Sequence, residues 1–392
     1  MSTIYYTGPF RFPLYDAAAS RVLHNAKLFR ECGYKVEIIS WGGIQRDNDR
    51  QLDGSFSYLG FRYIVTNDID TKENSFWKRF RNYLLGSKSA YQYIKQNAVK
   101  DDVVIIYNPS LLFTKRMLAL SLVCSFHLIS DITEWYDSSE VPGRKLFLFY
   151  WLSEWNMKRI QRQVEKKIVI SSFLKDYYKN ENVILLPPLI DLSDNKWTMS
   201  SSVLPPFSGI RLIYAGSTNK SKDLLAIMIK AVISCVKKGL ILQLIIVGIF
   251  DKDKYDFISK KDFAEFGKNI LFLGKIDQTF VPQYYLSSDF SLFVRRHSRK
   301  NMAGFPTKFV ESMAACTPVI TNRTSDIEMY LKHNENGLLV DDFTESELSK
   351  VLVCISQFDK AKIQRMKVGA YKCAMKNFDY KCYVNLINSF MK

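Results

Sequence analysis

No run of apolar residues in this chain reaches the roughly 18 to 20 positions that a membrane-spanning helix requires. The nearest, around 146–152, is interrupted by charge, so no span is expected. The opening residues, MSTIYYTGPF, lack a basic segment followed by an apolar one, so no secretory signal is expected and the cytosol is the compartment expected. Seven cysteines (Cys32, Cys124, Cys235, Cys316, Cys354, Cys373 and Cys382) form no CxxC pair, which disfavours disulfide and zinc frameworks and suits reduced core thiols. No fixed-period repeat and no low-complexity tract is present, which excludes solenoids and linker-like tails. Acidic residues are in short supply: 55 Lys and Arg face 39 Asp and Glu, a net charge of +16. Such a surface attracts phosphate-bearing partners, whether nucleic acid, anionic lipid or nucleotide. No nucleic-acid recognition module accompanies the charge, so nucleic acid is not an expected partner.

What is present is alternation. Short β-branched runs near 4–7, 36–41, 58–65, 103–107, 127–131 and 168–171 alternate with helical patterns. A second series follows near 211–215, 242–247, 270–273, 291–294, 319–321 and 338–340. The pattern predicts an α/β chain with two Rossmann-like domains, each with a parallel sheet. Prolines at Pro187, Pro188, Pro205 and Pro206 bracket a polar connector. The expected organisation is therefore an N-terminal domain at 1–190, a linker at 191–209, a C-terminal domain at 210–375 and a final helix at 376–392 returning to the first domain. Open sheets of this kind bind ligands at the carboxyl ends of their strands, so a site is expected in a cleft which the two domains face.

Two C-terminal segments carry the chemistry. In RLIYAGSTNKSKDLLAIMIKAV a strand ends at Gly216, a polar loop follows, and a helix begins near Asp223. Glycine allows a tight turn, and the loop would offer N–H groups and a positive helix end to a diphosphate beside Lys222. An ordinary βα turn with a solvent lysine fits this segment equally well. In DFSLFVRRHSRKNMAGFPTKFVESMAACTPVITN a strand ends at Val294, a basic loop follows, and a helix starts near Pro306. Lys308 and Glu311 lie one turn apart on the polar face of that helix. They could form a surface ion pair, or Glu311 could accept the two hydroxyls of a ribose.

The segment PTKFVESMAACTPVI closely resembles the Pro-x-Lys-x-x-Glu-x-Met-Ala-x-Gly-x-Pro-Val-Ile signature of retaining GT-B glycosyltransferases of the family 4 type. YAGS with Lys222 and Asp223, IIVG ending at Gly248, and ILFLGKID from Ile270 resemble further parts of that family. The resemblance implies the two-domain GT-B fold and transfer of a sugar from a nucleotide-diphosphate sugar with retention. It implies no cofactor and no obligatory metal. Asp251-Lys252-Asp253 has the spacing of an acidic metal triplet but sits in a charged loop, where a solvated turn is expected. By resemblance Glu311 would bind the ribose, Lys222 the diphosphate, and the turn Gly304, Phe305, Pro306, Thr307 and Lys308 the phosphate or sugar. Gly274 and Lys275 would lie close to the base.

Two positions depart from the family. Its second glutamate, eight positions before the ribose-binding one, is here Ala303, and the arginine after the glycine is here Ser217. Arg295, Arg296, Arg299 or Lys300 could restore the charge, and Asn301 could bond sugar hydroxyls. A catalytically silent sugar-nucleotide binder and a nucleotide-sugar epimerase on the same scaffold remain the rival readings.

In the N-terminal half, GPFRFPLYDAAASRVLHNAKLFRECGYKVEIISWGG resembles the start of the family's acceptor domain, with residues 8–16 as a loop bordering the cleft and His24 at a surface position in a helix. Asp131 and Glu134 follow a strand at its carboxyl end, where either could deprotonate an acceptor hydroxyl. An N-cap role for Asp131 or Thr133 is the alternative. His127 reads as packed within the apolar strand. Two stretches mix bases with aromatics, SFWKRFRNYLLGSK at 75–88 and GRKLFLFYWLSEWNMKRIQRQ at 143–163. They suit helices lying on an anionic membrane, at the inner face of the cell membrane, near a polyprenyl-linked or other glycan acceptor. The second stretch also fits a core helix with a basic outer face. By resemblance alone, the setting implied is capsule or other surface polysaccharide assembly.

Overall fold

The computed structural model describes residues 2–13, 16–43, 45–66, 87–138, 147–198, 203–216, 223–249 and 251–392. The chain divides into two compact units. The first comprises Met1–Leu189, Met302–Phe305 and Tyr380–Lys392, and the second Ile190–Asn301 and Pro306–Asp379.

The first unit is built on eight strands among the described residues: β1 (Thr3–Phe12), β2 (Lys35–Gly43), β3 (Phe56–Tyr58), β4 (Phe61–Val65), β5 (Val103–Tyr107), β6 (His127–Ile132), β7 (Lys166–Val169) and β8 (Asn182–Leu185). Their order is β3-β4-β2-β1-β5-β6-β7-β8, parallel except for the antiparallel β3. The continuous apolar run of β5 follows from burial on both faces. Val103, Ile105 and Tyr107 enter one core with Ile4, Tyr6 and Val22, whereas Val104 and Ile106 enter another with Trp41, Phe113 and Met117. Tyr380, Ile387 and Phe390 from the end of the chain complete the first of these cores.

Several details differ from the sequence expectation. The run at 58–65 is a hairpin, because Leu59 and Gly60 both take positive φ and reverse the chain. β1 continues to Phe12 instead of leaving the sheet at Gly8, since Arg11 and Phe12 pair with Gly42 and Gly43 after a register shift. β8 was not expected, its four residues being too few to show a period. His24 is buried, with Nδ1 2.8 Å from the Ser20 carbonyl, and His127 is exposed at the start of β6.

The second unit has six parallel strands among the described residues: β9 (Ile210–Ala215), β10 (Leu242–Val247), β11 (Ile270–Phe272), β12 (Phe290–Leu292), β13 (Val319–Asn322) and β14 (Gly337–Val340). The order β11-β10-β9-β12-β13-β14 reverses between β9 and β12. This is the doubly wound order, and its switch point is where such sheets open a crevice. The residues that follow β9 and β12 therefore lie at that switch point.

Candidate functional site

Three glycines follow the carboxyl ends of β9, β10 and β11 in the second unit: Gly216, Gly248 and Gly274. Gly216 N–H donates to the Val247 carbonyl at 3.0 Å, and Gly248 N–H to the Gly274 carbonyl at 2.7 Å. A Cβ on Gly248, whose φ is +99°, would lie 2.1 Å from the Gly216 oxygen. A Cβ on Gly216 would lie 2.6 Å from both Lys308 Nζ and the Tyr214 hydroxyl. Close backbone packing thus excludes a side chain at Gly248, whereas at Gly216 a Cβ would crowd the Lys308 and Tyr214 side chains.

Above the β9/β12 switch point, Asp223 gathers the cations. Arg295 Nε donates to Asp223 Oδ1 at 2.7 Å, Lys308 Nζ to Oδ2 at 2.5 Å, and the Tyr214 hydroxyl to Oδ2 at 2.9 Å. All three charged groups are buried. Arg295 arrives here because β12 ends beneath it and Asn322 clamps its backbone, accepting from Arg295 N–H and donating to its carbonyl, both at 2.8 Å. Lys308 stands in the first turn of the helix Thr307–Ala314, with Nζ 4.0 Å from the centre of the Tyr214 ring. Burial alone would raise the Asp223 carboxyl, but Lys308 and then Arg295 outweigh it and hold it well below the ordinary carboxylate range. Two cations and one anion leave a net positive charge at the switch point.

Glu311 lies one turn beyond Lys308 but does not pair with it. Its half-buried carboxylate makes no hydrogen bond or ion pair among the described residues. Burial raises its pKa, opposed by Lys196 and Lys308. The Tyr285 hydroxyl is fully buried and also has no hydrogen-bond partner among the described residues. Burial, then the Glu311 and Asp223 carboxylates, push that hydroxyl's pKa up. An unpaired carboxylate beside a cationic cluster is chemically suited to accept hydroxyl donors from a ligand whose phosphates the cations attract.

The structure therefore brings Gly216, Arg295 and Lys308 into one cluster. Gly274 holds Gly248 in place at the neighbouring strand end, and Glu311 stands one turn along the helix. Lys275 is exposed beside Gly274. Pro306 is buried and caps the helix with extended backbone, and Thr307 opens it. Gly304 and the buried Phe305 are grouped with the first unit. Within that unit, Ser171 Oγ donates to the carbonyl of the fully buried Ala303 at 2.6 Å. Asn301 is buried and its amide donates to the Arg296 carbonyl at 2.9 Å, so that group holds the basic loop rather than standing open to a sugar. Ser217 and Lys222 lie outside the described residues, as do 75–86 of the first aromatic and basic stretch.

Asp131 requires a correction. It is fully buried in β6 and bound by Arg21, with Nη2 to Oδ1 at 2.7 Å and Nε to Oδ2 at 3.0 Å, and by the Tyr6 hydroxyl. Arg21 also donates to the Leu186 carbonyl at 3.0 Å, and Asn25 to the Tyr6 hydroxyl at 3.0 Å. A carboxylate so occupied cannot take a proton from an acceptor, and it caps no helix. It is a structural ion pair. Glu134 is different: half-buried past the end of β6, it accepts from the Tyr136 hydroxyl. Beside it, Asn108 Nδ2 donates to Thr133 Oγ1 at 2.7 Å, and Thr133 Oγ1 lies 3.2 Å from the Tyr107 hydroxyl.

Sequence reasoning assigned no role to Asp223, Tyr214, Asn322 or Tyr285. The only signal for Asp223 was its place after Lys222 in the YAGS segment, and a tyrosine in a strand or a short helix reads as packing. Among the described residues, no three His, Cys, Asp or Glu side chains cluster as metal ligands would.

Residues 209–357 match the protein family described as Glycosyl transferases group 1. No curated protein matches the chain by sequence. Among solved structures, the chain is similar to a sucrose-phosphate synthase from Thermosynechococcus elongatus, with TM-score 0.73, 15% identity, and 99% of this chain and 98% of that one covered. It is also similar to Anabaena HepE in complex with UDP and glucose, with TM-score 0.69, 14% identity and 99% of both chains covered. The pneumococcal O-GlcNAc transferase GtfA in complex with UDP and GlcNAc gives TM-score 0.66 and 14% identity, covering 100% of this chain and 98% of that one. The fold is thus that of GT-B glycosyltransferases: α/β, with two Rossmann-like domains.

Proposed function

We propose that the protein is a glycosyltransferase that takes a nucleotide-diphosphate sugar as donor and passes the sugar, with retention and without a metal, to a glycan or polyprenyl-linked acceptor. The observation that carries this reading is the unpaired, half-buried Glu311 carboxylate next to the Arg295–Asp223–Lys308 cluster at the switch point. The family match over 209–357 supports it. Glu311 would accept the ribose hydroxyls, and the Gly216 edge would let a phosphate approach the backbone. The net positive cluster, with Lys222 as the further cation expected from the sequence, would stabilise the negative charge that develops on the leaving diphosphate. Asp223 would be a positioning residue, since two cations so close would otherwise repel. Of the two acceptor-side carboxylates expected from the sequence, Glu134 is the half-buried one, past the end of β6, and it would orient the acceptor hydroxyl. Surface polysaccharide assembly at the inner face of the cell membrane is the setting that fits a lipid-linked acceptor.

The test is thermal shift of the whole chain with a panel of nucleotides. UDP and UDP-sugars come first, because UDP is the nucleotide in the HepE and GtfA complexes. A ligand at about 100 times its Kd stabilises the folded state by about 2.7 kcal/mol. A rise in Tm with one nucleotide diphosphate, lost in Glu311→Ala, is expected. No rise with any of them would overturn the reading. Product analysis with the bound donor then separates transfer, which needs an acceptor, from epimerisation, which does not.

A further inference from the structure

Residues 190–198 join the two sheets in sequence but are grouped with the second unit. At the start of the segment, Ile190 N–H donates to the Phe378 carbonyl at 2.9 Å and Leu192 N–H to Asp379 Oδ2 at 3.3 Å. Trp197 is buried, and its Nε1 donates to the Asp191 carbonyl at 2.7 Å, so the segment folds back on itself. At its far end the side-chain amide of Gln283 donates to the carbonyls of Lys196 and Thr198, both at 3.1 Å. Gln283 stands on the helix Val281–Leu286, which also carries Tyr285 and packs against the helix of Glu311. A connector tied down at both ends in this way holds Lys196 where its charge reaches Glu311.

Burial pushes the Glu311 carboxyl up, and two ammonium groups oppose it, Lys196 more strongly than Lys308. Lys308 is already bound to Asp223 at 2.5 Å. Lys196 pairs with Asp194 at 3.3 Å, and its Nζ lies 4.9 Å from the centre of the Trp197 ring. That pair is open to solvent and so neutralises Lys196 only weakly. Among the described residues, neither ammonium forms an ion pair with Glu311 itself. A direct pair would occupy the carboxylate oxygens, whereas a charge at longer range favours the ionised form and leaves both oxygens to accept donors. Of the other elements packed on the Glu311 helix, Val281–Leu286 brings the neutral Tyr285 hydroxyl, and β13 carries no ionisable side chain. The buried residues of the helix Lys360–Asn377 are apolar apart from the Cys373 thiol, which donates to the Tyr330 carbonyl.

We infer, resting on the reading of Glu311 as the ribose-binding carboxylate, that Lys196 is a positioning residue for the donor: from the connector it supplies the counter-charge that keeps both Glu311 oxygens ready to accept hydroxyls. A ribose offers two adjacent hydroxyl donors, which need two accepting oxygens, and a protonated carboxyl would turn one of those oxygens into a donor. Burial works against the ionised form. Nothing on the Glu311 helix itself corrects this fully, because Lys308 is held by Asp223. The correcting charge therefore comes from a segment more than a hundred residues earlier in the chain, fixed there by Gln283.

A ligand-free cycle on the whole chain tests the coupling. At about pH 8, Glu311→Gln should raise Tm by about 2 °C more in the Lys196→Met background than in the otherwise wild-type chain, because the ionised carboxylate has there lost its counter-charge. Equal shifts in the two backgrounds overturn the proposal, whether or not a nucleotide binds. Titrations with UDP-glucose, GDP-mannose and ADP-glucose between about pH 5 and about pH 8.5 then read donor binding. Affinity in Lys196→Met should fall about tenfold at the acidic end and meet that of the wild type at the basic end, the acidic limb moving up by about one pH unit. Lys196→Arg, which keeps the charge, should bring the limb back. A loss that is equal at every pH, or that persists in Glu311→Gln, marks a structural effect or a direct ligand contact and overturns the proposal. If none of the three nucleotide sugars binds the wild-type chain while the Tm cycle shows coupling, the ribose reading of Glu311 fails, and the donor role of Lys196 fails with it.

Discussion

Lys308 Nζ lies 2.5 Å from the carboxylate of Asp223, a residue 85 positions earlier in the chain, and not beside Glu311 one turn along its own helix. The i,i+3 spacing would permit the local pair. Asp223 competes successfully because it is buried at the switch point with Arg295, where an ion pair is poorly screened, whereas Glu311 is partly in solvent.

Asp223→Asn should therefore cost about 3 kcal/mol of stability, since removing one partner leaves buried cations uncompensated. Urea unfolding checks this. The acid dependence has a definite sign. The folded-state pKa of Asp223 lies below its ordinary 3.8, so its contribution is full above that value and is lost as pH falls through the folded pKa. Wild-type stability should drop more steeply than that of Asp223→Asn below about pH 4.

Glu311 titrates in the opposite sense. Burial raises its folded-state pKa above 4.5, so its contribution is favourable below that value and lost as pH rises through the folded pKa. Above its folded-state pKa the ionised carboxylate destabilises the free protein. Glu311→Gln should leave Tm unchanged or raised while weakening nucleotide binding about tenfold or more, the scale of a charge-assisted hydrogen bond. Paired melting and titration measurements show both; a fall in Tm with unchanged binding would contradict it.

Gly248→Ala should lose more than about 2 kcal/mol, because it combines positive φ with a Cβ 2.1 Å from the Gly216 oxygen. Gly239→Ala is the control. Its φ is also positive, +90°, but a Cβ there meets nothing within 4 Å, so a loss of about 1 kcal/mol is expected.

Asp131→Asn should unfold the first unit at lower denaturant, by about 3 kcal/mol, through the loss of the Arg21 pair. Glu134→Gln should leave stability within about 0.5 kcal/mol of wild type and lower kcat instead. The reverse outcome would restore Asp131 as the acceptor-side base.

Much of the architecture was legible because continuous apolar, β-branched runs dictate strands buried on both faces, as in β5 and β10. The short β8 and the hairpin at Leu59 and Gly60 were not, because four residues show no period and positive φ leaves no mark at a leucine. Within the site, Glu311, Lys308 and Gly216 stood out through a motif. Asp223 did not, since its partners are distant in sequence and nothing local distinguishes it from any acid at a helix start. Asp131 misled for the same reason: its position at a strand end was readable, but Arg21, 110 residues away, was not its visible partner.

The sequence by itself determined the two α/β sheets, the glycine edge and the residue types at the switch point, because periodicity and backbone geometry are local properties. Only the tertiary structure decided which charges meet. It placed Lys308 and Arg295 on Asp223, left Glu311 unpaired, closed Asp131 within an ion pair and turned the tryptophans of 147–155 outward. Burial and screening at each point, which depend on the packing of distant segments, set those outcomes.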